Sequence, residues 1–149
     1  MNTLTAYHLH DETDVESLKQ ELGEQIHLTS SLIKTLWAEL SGNINDRNHT
    51  QLLVLFEKQM QEVETQHDHF CSIVNKDILF INEPAGTGES QQVTFTESIY
   101  ILNSMSHVLY QVLDDEVEDH LLNLLSVVKK CTKKMVGLVD EVNVKIAFR

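Results

Sequence analysis

The chain has 149 residues, 42% of them in the apolar and aromatic set and 23% charged, so it can bury a core and lies outside the composition of disordered chains. Eleven Lys and Arg against 23 Asp and Glu leave a formal charge of −12, which repels a phosphate backbone and disfavours nucleic-acid binding. One Pro and five Gly are too few for a many-turned β-sandwich, and the expectation is one all-α domain over residues 1–149.

Positions 1–10 hold no basic residue and no apolar run, which reads as a chain without a leader and points to a cytoplasmic protein. Thr13 and Glu16 then form a capping box, and Val15, Leu18, Leu22, Ile26, Thr29, Ile33, Leu36 and Leu40 recur at steps of three and four. This predicts an amphipathic helix over about 14–41, ended by Ser41-Gly42. Asn48 with Gln51 caps a second predicted helix, about 49–75, whose stripe is Leu53, Phe56, Met60, Val63, His67, Phe70 and Val74. The short polar turn between the two makes them antiparallel neighbours.

The pattern changes at about 77–94. An apolar run at 78–81 is followed by Asn, Pro, Gly and Ser, and then by the β-favouring Val93, Thr94 and Phe95. This reads as a longer crossover, either irregular or folded into a short β-hairpin. Thr94 and Glu97 make a third capping box, and Ile99, Leu102, Ser106, Leu109 and Leu113 mark a third helix over about 95–113. From Val117 the seam Leu121, Leu124, Val128, Cys131, Met135, Leu138 and Val142 has the strongest periodicity in the chain and predicts a fourth helix over about 115–146. Five acids within 114–119, with Asp115 and Glu118 as a fourth box, suit a helix N-terminus and favour a tight corner over one rod of about fifty residues.

The predicted fold is therefore an up-and-down four-helix bundle. Its expected core includes Leu22, Ile33, Leu36, Phe56, Met60, Val63, Leu102, Leu109, Leu121, Leu124, Val128 and Leu138. No apolar stretch approaches the roughly 20 residues needed to cross a bilayer, so no membrane association is expected. Cys71 and Cys131 stand 60 residues apart without a CxxC partner and read as buried thiols. Trp37 reads as a residue at the rim of the core.

No GxSxG, HExxH or phosphate-loop signature is present, so the expectation is a protein that is not an enzyme and needs no cofactor. Nor is any of the eight histidines followed by the lysine and small residues of phosphotransfer domains. Counting back from each turn puts His27, His67, His107 and His120 at similar heights. His67 also has Glu64 at i−3 and Cys71 at i+4 on one side of its helix. Imidazole, carboxylate and thiolate in that arrangement suit zinc or iron, so Glu64, His67, Cys71, His107 and His120 form a candidate ligand set. Glu64-x-x-His67 is only half of the paired motif that di-iron bundles carry. One core histidine at 67 with exposed ones elsewhere is the simpler expectation.

Lys129, Lys130, Lys133 and Lys134 fall on the side of the last helix opposite its seam. Residues 129–149 carry a net +4 and residues 1–128 a net −16. The cluster reads as a solvated face that complements the helix dipole, or as a dock for an acidic segment. The functional expectation is a non-catalytic regulatory or adaptor protein that binds another protein and forms a homo-oligomer, with the 117–142 seam as the surface of self-association. The alternative is a small-ligand-, metal- or haem-binding bundle built on His67.

Overall fold

A computed structural model describes the backbone of residues 3–9, 12–40, 42, 44, 46–73, 80–83 and 87–148, and the side-chain environments of 16–40, 42, 44, 46–71 and 92–144. In chain order the elements are β1 (Thr3–Leu9), α1 (Glu12–Leu40), α2 (Arg47–Ile73), β2 (Phe80–Glu83), α3 (Thr87–Leu113), α4 (Asp119–Lys145) and β3 (Ile146–Phe148). Each long helix packs chiefly on two others, in the order α1–α2–α3–α4 and back to α1, which is the expected four-helix arrangement. Among the described residues no helix is long and apolar enough to cross a membrane.

Two of the expected boundaries move. α3 begins at Thr87 and not at 95, so Thr94 and Glu97 lie inside the helix and are no cap. No Gly or Pro stands between Ser90 and the end of α3, and tertiary burial of Phe95 and Ile99 overrides the local β preference of Val93 and Thr94. The hairpin considered for 77–94 is therefore not closed within that segment. β2 pairs instead with the amino-terminal strand, Thr3 opposite Glu83 through Ala6 opposite Phe80, and the far half of β1 pairs antiparallel with β3. The corner near 114 is present. α3 ends at Leu113, whose carbonyl accepts from Glu116 and Val117, and the Glu118 carbonyl takes the first bonds of α4 from Leu121 and Leu122.

Asp46, and not Asn48, caps α2. Its carboxylate accepts the Asn48 amide at 2.8 Å while its carbonyl accepts the Thr50 amide at 3.1 Å. The Asp46 amide in turn donates to Glu116 Oε1 at 3.1 Å, and His49 Nδ1 meets the other oxygen of Glu116. These contacts tie the α1–α2 turn to the α3–α4 turn at one end of the bundle. The Glu116 carboxylate holds the His49 pKa above its ordinary value.

The core runs the length of the bundle, from Phe70 and Phe95, stacked with centroids 5.2 Å apart, to Leu40, Leu53 and Leu113. α4 buries Leu121, Val128, Met135, Leu138 and Val142 as expected, but it also buries Leu125, Thr132 and Val139. A helix enclosed by two neighbours needs a stripe wider than the narrow seam of a coiled coil. Leu124 is consequently only partly buried, and Leu125 takes the core position expected for it. The seam offered for self-association is thus consumed inside the bundle.

Buried polar groups on α3 and α4 are paired with one another. The Ser106 and Thr132 hydroxyls lie 3.0 Å apart, Thr132 Oγ1 reaches Asn103 Oδ1 at 3.1 Å, and nearer the other end Gln92, Asn143 and Thr96 form a chain of bonds at 2.6 and 2.8 Å. A slip between these helices would strand those groups, so the bonds set their register. Leu125→Ala is expected to cost about 2–5 kcal/mol of stability and Leu124→Ala clearly less, as read by chemical denaturation. Equal costs would contradict the phase of α4 described here.

Candidate functional site

Two surface features stand apart from the packed core. The first is a cleft between α1 and α2 of about 450 Å³, lined by Gln20, Gly23, Glu24, Ile26, His27, Glu64, His67 and Asp68. It forms because α1 presents glycine where α2 presents an imidazole. A Cβ on Gly23 would lie 3.4 Å from His67 Cε1, already at van der Waals contact, and anything larger would push the ring aside. On its other sides the ring faces Phe95, with centroids 5.7 Å apart, and Cys71, whose sulfur is 3.4 Å from His67 Nε2. Glu64 Oε1 accepts the Ser30 hydroxyl at 2.8 Å, a second link across the same pair of helices.

Burial decides the protonation here. It lowers the His67 pKa against the opposing pull of Asp68, and it raises the Cys71 pKa. Thiol and imidazole therefore meet as neutral partners, which makes Cys71 a poor nucleophile.

The structure brings Glu64, His67 and Cys71 onto one side of α2 and adds His27 across the cleft, but it does not assemble the four-histidine layer. His67 contacts Phe95, whereas His107 lies twelve residues further along α3, about 18 Å at 1.5 Å per residue. His120 lies in the first turn of α4 at that same distant end, exposed and 3.3 Å from Glu118. The reason is topological. In an up-and-down bundle successive turns alternate between ends, so equal counts back from each turn give opposite heights. Among the described residues no group of three or more His, Cys, Asp or Glu is placed to hold one metal ion.

The lysine cluster is divided as well. Lys129 Nζ sits 4.4 Å above the Tyr110 ring on α3, and Lys134 lies 3.4 Å from Glu21 on α1, leaving Lys130 and Lys133 directed outward. Trp37 is partly buried against the core, as a rim residue should be.

The second feature is the outward face of α3. A groove of about 400 Å³ is lined by Leu52 of α2 and by Tyr100, Ile101, Ser104, Met105, Val108 and Leu109 of α3. Ile101 and Leu55 are half-exposed, and Val108 and Tyr100 nearly so. The Tyr100 hydroxyl donates to Asp140 on α4, an interaction that also raises the phenol pKa. Motif reading does not find this face, but one signal for it is in the sequence: residues 98–113 contain no Asp, Glu, Lys or Arg. Every other long helix has charges on its exposed side.

Comparison of the chain with family models, curated proteins and solved structures gives no match.

The His67 environment has a thermodynamic consequence. A histidine whose folded pKa is lowered stabilises the fold fully above its unfolded pKa of about 6.5 and loses that contribution as pH falls toward the folded value. NMR titration should place the His67 midpoint below 6.5. The stability difference between the protein and His67→Leu should shift in favour of the variant as pH drops below 6.5, and a constant difference would refute the assignment.

Proposed function

We propose that this chain is a non-catalytic regulatory or adaptor protein that works by binding another protein chain, and that the outward face of α3 is its docking surface. The observation that carries this reading is the half-exposed set Tyr100, Ile101 and Val108 lining the groove, on a helix with no charge across its last sixteen residues. Exposed large apolar side chains gathered in one patch, with an aromatic at the edge, suit a protein interface better than open solvent. The formal charge of −12 elsewhere keeps the molecule soluble and steers encounters. The α1–α2 cleft has a more polar lining, and the lysine cluster is divided between contacts to Tyr110 and Glu21.

A second reading rests on the cleft itself, whose volume would accept a small ligand against His67 and Glu64. Its metal-binding form, zinc or iron on Glu64, His67 and Cys71, is the weaker one, because those three are not placed to hold one ion together. Elemental analysis of protein purified without an affinity tag is expected to give substoichiometric zinc and iron. A stoichiometric metal that His67→Ala removes would move the function to this second class.

For the favoured reading, Ile101→Glu combined with Val108→Glu is expected to abolish recovery of a specific partner from lysate while the melting temperature stays within a few degrees. Thr65→Glu, on the exposed side of α2, should leave recovery intact. Unchanged recovery by the α3 double variant would sink the reading.

A further inference from the structure

We propose that Asp46, His49 and Glu116 form a proton-operated clasp, which joins the α1–α2 turn to the α3–α4 turn and releases that end of the bundle when the imidazole loses its charge.

Three groups from two separate turns converge there. Glu116 reaches across from the α3–α4 turn with both carboxylate oxygens engaged: Oε1 accepts the Asp46 amide at 3.1 Å, and Oε2 meets His49 Nδ1. On the other side of the ring, Nε2 lies 3.8 Å from Asp46 Oδ2. The imidazole is thus held between two carboxylates, one from each turn. The His49 and Glu116 side chains are 24% and 19% exposed, so neither is a freely solvated surface charge. Asp46 also caps α2 through the Asn48 amide, so a shift of its turn disturbs the first turn of that helix.

The charge on the ring decides the sign of this contact. Protonated, the ring is a cation between two anions, with an N–H directed to each. Neutral, it keeps one N–H, and with that proton on Nδ1 toward Glu116 the Nε2 lone pair faces the Asp46 carboxylate. Two anionic turns then confront each other across a neutral ring. Asp114, Asp115, Glu118 and Asp119 add negative charge beside Glu116, and the nearest cation along the chain, Arg47, is exposed and screened by water. His120, in the first turn of α4, is exposed and lies against Glu118. The Glu116 hydrogen bond and the charge of Asp46 together outweigh the cost of burial and hold the His49 pKa above its ordinary value. A raised pKa fixes the direction: the clasp is complete below the unfolded value of about 6.5 and is lost as pH rises through the folded value.

The clasp guards one end of the core. Leu40, Leu53 and Leu113, at the ends of the helices that these turns connect, are fully buried, and the Ile44 amide holds the chain to the Leu40 carbonyl at 3.1 Å. α1 and α2 pack on each other less than any other adjacent pair of helices, so this end has little else to keep it closed.

Amide exchange between about pH 5.5 and 8.5, corrected for the intrinsic effect of pH, tests the proposal. The amides of Ile44, Asp46, Asn48, Glu116 and Val117 are all hydrogen-bonded here, and their protection is expected to fall several-fold across a His49 midpoint that NMR places above 6.5. Amides around Ser106 and Thr132 should stay protected throughout. His49→Gln keeps a donor without a charge and is expected to show the weaker protection at every pH. Glu116→Gln should return the His49 midpoint toward 6.5 and flatten the dependence, whereas His120→Gln should leave it as in the parent. Circular dichroism is expected to give parental helical content for all three. Parental protection that ignores pH, a His49 midpoint at or below 6.5, a parental pH dependence in His49→Gln, or its loss in His120→Gln would each overturn the proposal.

Discussion

The enclosure of α4 between α1 and α3 is the constraint on which the rest of the molecule depends. Leu121, Leu125, Val128, Met135, Val139 and Val142 form one seam, and buried Cys131 and Leu138 widen it toward α1, so α4 packs on both α1 and α3. Once α4 is committed this way, its side-chain bonds to α3 through Thr132 and Asn143 fix the height of α3 against it, and the Glu21–Lys134 pair lies at the α1 boundary. The bundle then has four outer faces whose character follows from what each helix has left over. α1, α2 and α4 have charges left over along their lengths, and α3 has none after Glu97.

The consequence for function is a reversal of roles between helices. The heptad pattern of the last helix is the most regular in the chain and resembles a surface for recruiting another helix, yet its regularity reflects burial within its own bundle. α3 has an equally regular interior stripe of Phe95, Ile99, Leu102, Ser106, Leu109 and Leu113, and its opposite side holds the uncovered apolar residues. The proposed interface is marked by what is missing from a solvent-facing stripe, the charges, more than by the strength of the buried one.

The ionisable groups also divide by location. His67 and Cys71 are governed by burial and meet as neutral groups, whereas His49 at the open end of the bundle is governed by the Glu116 carboxylate. Acid therefore weakens the first environment by forcing charge onto a half-buried ring, while the second gains from protonation as long as Glu116 stays ionised. The two histidines differ in neighbours and solvent access alone.

Residue spacing by itself determined the four helices, the corner at 114, and nearly all of the core from Leu22 to Leu138, because apolar periodicity is a local property that burial reads directly. It also determined that Glu64, His67 and Cys71 share one side of α2, since i, i+3 and i+4 geometry belongs to a single helix. Only the tertiary structure decided which residues from different helices meet. Gly23 opens a cleft for His67, and Phe95 packs on that ring while His107 and His120 lie at the opposite end. It also decided that helix continues back to Thr87, where burial outweighed the β preference of Val93 and Thr94, and that Leu125 replaces Leu124 in the core. The physical reason is the same throughout. Spacing along one helix fixes which side chains share a face, but which face is covered, and by what, depends on the height and rotation of three other helices, which no local pattern encodes.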